Sequence, residues 1–210
     1  ESHGCVHLPS EFARLLFDSS NMGMVVVVSQ EGKSPEDMAH PGALIPINPA
    51  TGAEAAIPPL EAGQKYRWRP ELSTEGPVSI LLSRADGDVI VFRNGIEIGR
   101  SRVLIRNPDE PLGTRAYIVK DGFLDGDNPL LPGTRMPNWS TIGIPGSGTD
   151  AGQLLSPQTI DRVVIPHDFV AAVLPLLTPG VVMLVTDEHV LPETTGGAPV
   201  QVLDSDPPQT

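Results

Sequence analysis

Apolar positions in this chain fall into short runs of two kinds, uniform and alternating. Met24 to Val28 is apolar at every position, which predicts a strand covered on both faces and therefore central in a sheet. Just before it, Phe12, Leu15 and Leu16 stand at the spacing of one helical face. Ser10 is the expected N-cap, the helix is expected to end near Asn21, and Gly23 separates it from the strand. Beyond Tyr66 the runs shorten to Val78–Leu82, Val89–Phe92, Ile96–Ile98 and Arg115–Val119. Asp86-Gly87 and Asn94-Gly95 interrupt the first three, and such dipeptides favour the positive φ angles of tight hairpins, so an antiparallel meander is expected. Ser29 to about Gln64 lacks periodicity and reads as linker, with His40 solvated in it. Asp121 to Pro157 reads as loop, and Glu193 to Thr210 as a fraying tail in which Val200 to Leu203 can add an edge strand.

One pattern occurs twice. Thr159 to Phe169 can be laid without a gap on Ser2 to Phe12, and the offset of 157 that carries Pro9 onto Pro166 also carries Gly23 onto Gly180. Val163, Phe169, Val182 and Val185 then fall on Val6, Phe12, Val25 and Val28. A unit of helix, glycine and apolar strand is thus repeated. The repeat also argues against a membrane span over Phe169–Val185, a run that is short and broken by Pro175, Pro179 and Gly180. The packing positions are kept and the chemical ones are lost: His3, Gly4 and Cys5 become Ile160, Asp161 and Arg162.

Composition narrows the class. With 40% hydrophobic residues, 23 Pro, 21 Gly and 4% aromatics, the chain reads as globular and mainly β with many turns. A net charge of −12 opposes binding to nucleic acid or anionic membranes. A single cysteine rules out an internal disulfide framework and a four-cysteine metal site.

That cysteine lies in the densest chemistry of the chain, Glu1-Ser2-His3-Gly4-Cys5-Val6-His7-Leu8. A thiol attacks carbonyls as thiolate, which requires a neighbouring base, and an extended backbone would place His3, Cys5 and His7 on one face. Gly4 lets the backbone approach a substrate. The rival readings are a small buried apolar cysteine and a zinc site on His3, Cys5 and His7, which lacks an obvious fourth ligand.

Ser-His-Gly-Cys-Val, followed by Leu8, a helix and a valine strand, resembles the end of the L,D-transpeptidase (YkuD-type) catalytic domain. His7 stands where that family usually has Arg. The resemblance implies Cys5 as the acyl-accepting nucleophile and His3 as a site histidine, with Ser2, Gly4 and His7 in the oxyanion and substrate-binding region. It implies attack on a carbonyl of a peptidoglycan stem peptide, expulsion of D-alanine and transfer of the acyl group to an amine, without metal or cofactor, in a bacterial periplasm or envelope. The runs Val78–Ser83 and Val91–Gly95 and the stretch Pro111–Thr114 are similar to the opening half of the same domain.

The expected organisation is therefore the C-terminal piece of a catalytic domain at residues 1–30, a linker at 31–65, a degenerate transpeptidase-like domain at 66–192 and a tail at 193–210. The expected fold is mainly β, an antiparallel, barrel-like sheet with one helix per repeat. The family also carries a histidine upstream of the tetrad, so the chain is expected to be a fragment, inactive alone. The alternative is a non-catalytic envelope module.

Overall fold

The computed structural model describes residues 8–20, 58–142, 152, 154–191 and 194. Among them the order is α1 (Ser10–Ser19), β1 (Tyr66–Trp68), β2 (Val78–Ser83), β3 (Asp88–Arg93), β4 (Ile96–Arg102), β5 (Leu104–Ile105), β6 (Arg115–Phe123), β7 (Pro137–Ile142), α2 (Pro157–Asp161), β8 (Val163–Val164), α3 (His167–Val173) and β9 (Val182–Thr186). The Met24–Val28 strand, most of the linker and the Val200–Leu203 patch lie outside the described residues.

The protein is mainly β. Asn94 and Gly95 both take positive φ, 51° and 76°, and join Arg93 to its cross-strand partner Ile96, the two-residue hairpin that this dipeptide favours. The Asp86-Gly87 connection differs. It is a four-residue loop between the paired Ser83 and Asp88, in which the Ser83 hydroxyl accepts from the Asp86 amide at 3.0 Å. The seven long strands run in the order β1-β4-β3-β2-β9-β6-β7, and β5 pairs separately with β8. Every pairing in the large sheet is antiparallel except β2–β9, which is parallel. An antiparallel meander is thus only part of the sheet, because β9 returns from the far end of the chain and inserts between β2 and β6.

One face of the sheet carries the main core. Ile80, Leu82, Val89, Val91, Ile98, Val119 and Val185 meet Ile160, Phe169 and Val173 of the helical segment. Phe169 packs edge-on against Trp68 at 5.7 Å between centroids and tilted against Tyr66 at 5.8 Å. Gly99 is needed beneath this group, since a Cβ there would come within 2.6 Å of the Trp68 ring. The core is not filled: an apolar cavity of about 120 Å³ remains between the sheet and α2–α3. On the other face Leu81, Ile90 and Phe92 are covered by Val190 and Leu191.

Several boundaries move from those the sequence suggests. The stretch read as loop between Asp121 and Pro157 contains β7, which pairs with β6 and buries Trp139; its proline and alternating polar residues conceal it. Residues 58–65, read as linker, are tied to β1, where Arg67 donates to the carbonyls of Pro58 and Pro59 at 2.8 and 3.3 Å. Both α1 and α3 begin one residue after a proline, Pro9 and Pro166, with no side-chain cap; Ser10 is therefore the first helical residue and not the cap. These starts share the offset of 157. Their burial differs, because Phe169 and Val173 are buried while their counterparts Phe12 and Leu16 are 54% and 43% exposed. The run Phe169–Val185 divides into α3, a 3-10 turn at Leu174–Leu176 and β9. Among the described residues no helix is long and apolar enough to cross a membrane.

Candidate binding site

The loop between β5 and β6 is held from two sides. β5 and β8 pair through Leu104–Val164 and Ile105–Val163, and the Arg106 amide continues the ribbon by donating to the Arg162 carbonyl at 2.8 Å. The Arg162 side chain then turns onto the loop: Nε donates to the Arg106 carbonyl at 3.3 Å, Nη1 to Pro111 at 3.3 Å, and Nη2 to Asn107 at 3.1 Å and to Glu110. A planar guanidinium with five fixed donors suits several converging carbonyls. From the other side the Asp187 carboxylate accepts from the amides of Leu112 and Gly113 at 2.9 and 2.7 Å and from Arg84 Nε. Arg84 Nη1 also reaches the Pro108 carbonyl at 2.8 Å. Burial pushes the Asp187 carboxyl up, but the two amides and Arg84 outweigh it and hold the group below its ordinary value.

Beside this ribbon opens a groove of about 530 Å³ lined by Glu61–Lys65, Arg102, Leu104, Val164, Ile165, Pro166 and His167. Its apolar part is unusually wet, with Leu104 67% and Val164 37% exposed. Its cations, Lys65 and Arg102, are placed by the sheet. The Arg102 amide donates to the Lys65 carbonyl at 2.9 Å, which brings Lys65 alongside Arg102, and His167 enters from the start of α3. The groove thus offers an apolar strip flanked by positive charge, with Glu61 as the one carboxylate on its wall.

Arg102 is itself anchored in a chain of alternating charges. Arg67 donates to Glu97 at 2.6 Å, Arg100 to the other oxygen of Glu97 at 3.2 Å, Arg100 lies 3.7 Å from Asp88, and Arg102 donates to Asp88 at 2.9 Å. The β4 bulge makes this possible: the register shifts between Val91 and Phe92, so Ile98 is extra and Glu97 falls on the same face as Arg100. Burial raises the Asp88 carboxyl, with Arg102 and Arg100 opposing it only in part.

A second polar cluster lies at the β2–β3 loop. The buried Asp86 carboxylate accepts from the amides of Val190 and Leu191 at 2.7 and 3.2 Å and lies 2.6 Å from His189 Nδ1. Burial pushes Asp86 up, but hydrogen bonds from Thr194, the Val190 amide, His189 and Ser83 more than offset it and keep the carboxyl low. A carboxylate can only accept, so Nδ1 carries a proton. The arrangement pins the segment that covers Leu81, Ile90 and Phe92. The Ser83 hydroxyl in this cluster is buried and donates to the Glu188 carbonyl at 2.6 Å.

Ser2, His3, Gly4, Cys5 and His7 lie outside the described residues. Their counterparts at the offset of 157 are described: Ile160 is a buried core residue, Asp161 ends α2, and Arg162 grips the loop. Among the described residues no group of three His, Cys, Asp or Glu side chains could hold a metal ion. No family model, curated protein or solved structure matches the chain.

Lys65, Arg102 and His167 were not singled out by sequence reasoning, since they come together only through β1–β4 pairing and the start of α3. The one available signal was the pair Arg100 and Arg102, charges two apart on a strand-like run.

Proposed function

We propose that residues 58–191 are a non-catalytic peptide-binding module in a bacterial cell-envelope protein of the L,D-transpeptidase kind, and that the groove takes the carboxylate-bearing end of a peptidoglycan stem peptide. The observation that carries this reading is the use made of Arg162. At the position that the repeat assigns to Cys5, the chain has a guanidinium engaged with four backbone carbonyls, which is a structural clamp and not a nucleophile. Next to it the groove remains open and cationic. A stem peptide offers methyl side chains for Leu104 and Val164 and a terminal carboxylate for Lys65 and Arg102, and charge-assisted hydrogen bonds of that type are the stronger kind.

Acyl transfer belongs, in this proposal, to the Cys5 segment. A histidine such as His3 takes the proton of the Cys5 thiol and the thiolate attacks the stem carbonyl; the bond to D-alanine breaks as its amine takes up that proton, and the resulting thioester passes its acyl group to an amine of a second stem, whose proton goes back to the base as the Cys5 sulfur leaves. The Gly4 and Cys5 amides would stabilise the oxyanion. In a protein containing the complete N-terminal unit, Cys5→Ala removes transpeptidation, and Arg162→Ala leaves turnover unchanged apart from indirect effects of loosening the loop it grips.

The binding reading is tested by NMR titration of the 210-residue chain with a tetrapeptide stem. Saturable shifts around Lys65, Leu104 and Val164, weakened at least tenfold in Arg102→Glu, are expected. Shifts elsewhere, or equal affinity for the stem with its terminal carboxylate amidated, would overturn it.

A further inference from the structure

We propose that the apolar cavity between the sheet and the α2–β8–α3 segment is a binding site for a compact, neutral, apolar ligand of about the size of a benzene ring. The inference is independent of the groove and of the transpeptidase reading. Three observations carry it. The first is size. The cavity measures about 120 Å³, close to the volume at which a dry apolar cavity is known to take up benzene or xenon.

The second is its wall. Ile80, Val91, Leu112, Ile160 and Val173 supply aliphatic surface, and Trp139 and Phe169 supply ring surface. Met136 and Met183 also line it, and unbranched, polarisable side chains adjust to the outline of a guest.

The third is the state of its polar neighbours. Asn128 and Thr159 also border the cavity, and both are occupied within the protein. The Asn128 amide donates to Thr134 at 3.1 Å and its carbonyl accepts from the Leu130 amide at 3.0 Å. The Thr159 hydroxyl is paired with Ser156 at 2.8 Å. A water molecule needs two to four polar partners to reside in such a space, and these two residues are already engaged. The cavity therefore offers water little to bond to, and for the same reason it discriminates against any ligand group that must keep a hydrogen bond.

One wall of the cavity is the stretch that ends at the Arg162 clamp: Ile160 and Val163 flank that arginine and both face the cavity. A guest would support this segment from within, while Arg162 holds it from outside.

The test uses the 210-residue chain with benzene and phenol as probes, followed by methyl ¹H–¹³C NMR and by thermal unfolding. Expected are saturable shifts of the Ile80, Val91, Ile160 and Val173 methyls with benzene, a rise in Tm, and an affinity for phenol at least tenfold lower, because its hydroxyl would be left without a partner. Val173→Phe should fill the space and reduce benzene affinity at least tenfold; if that variant does not fold, Val173→Leu, one methylene larger, should weaken binding in the same direction. Absence of saturable shifts up to the solubility of benzene overturns the proposal. So does equal binding of phenol, benzene binding undiminished in the filled variant, or shifts confined to surface residues such as Leu104 and Phe123.

Discussion

Arg162 and Asp187 hold consecutive residues of one loop: the guanidinium donates to the Pro111 carbonyl at 3.3 Å, and the carboxylate accepts from the Leu112 amide at 2.9 Å. The two side chains come from α2–β8 and from the end of β9, so the loop locks the helical segment to the sheet. Removing either grip should free it. Arg162→Ala is expected to destabilise the chain by about 2–3 kcal/mol in urea unfolding, the range for charged hydrogen bonds, and to accelerate amide exchange at Asn107, Asp109 and Glu110. Arg162→Lys should not restore protection, since an ammonium cannot span four carbonyls. Unchanged exchange in Arg162→Ala would sink the clamp.

Acid should act through Asp187 and Asp86 in one direction and through Asp88 in the other. The folded-state values of Asp187 and Asp86 lie below the ordinary 3.8, so their contribution to stability is present above that value and is lost as pH falls through the lower folded values. Asp88 is raised above 3.8, so its contribution is full below 3.8 and is lost as pH rises through the folded value. Urea midpoints from pH 6 to pH 2 should therefore fall less steeply in Asp187→Asn than in the parent chain, and more steeply in Asp88→Asn. Parallel curves for all three would contradict the assignment.

Gly99→Ala places a methyl against the Trp68 ring and should destabilise by about 1–3 kcal/mol, as overpacking does. The loss should shrink when Trp68 is shortened to Leu in the same chain, because neighbours that clash are not additive. Thermal unfolding of the two single variants and the double variant measures this, and strict additivity would show that the strain lies elsewhere.

Asp86 and His189 should separate cleanly. His189→Ala removes a pair whose imidazole is half-exposed and is expected to change stability by less than about 1 kcal/mol. Asp86→Ala strips the acceptor from the amides of Val190 and Leu191 and should destabilise by about 3 kcal/mol, each stranded donor contributing about 1–3 kcal/mol. Limited proteolysis near Leu191 reads the release of the segment, and equal sensitivity of both variants would refute the anchor.

What the sequence made legible is local. Asn94-Gly95 dictates its hairpin because both residues must take positive φ, and β2, β3 and β4 follow from apolar runs on either side. The offset that sets Pro166 on Pro9 also located the start of α3. The insertion of β9 beside β2 could not be read, because nothing in Val182–Thr186 distinguishes a parallel partner from an antiparallel one. The charge chain through Glu97, Arg100 and Asp88 depends on a bulge at Ile98 that no residue type announces. At the candidate site the loss of the thiol at Arg162 was legible from the repeat, whereas the loop it grips lies 51 to 56 positions away in sequence and the groove cations meet only in the fold.

The place of β9 between β2 and β6 has a consequence for how the molecule is made. A ribosome delivers β1 to β4 and then β6 and β7 as two half-sheets, and until Val182–Thr186 has left the exit tunnel each half shows an unpaired inner border, β2 on one and β6 on the other. Such borders recruit strands from other chains. Assembly of this sheet must wait until Val182–Thr186 has been synthesised, and pairings so distant in sequence form slowly. The nascent chain is therefore most exposed to chaperones, and to its own neighbours on the same message, in the interval just before β9 arrives.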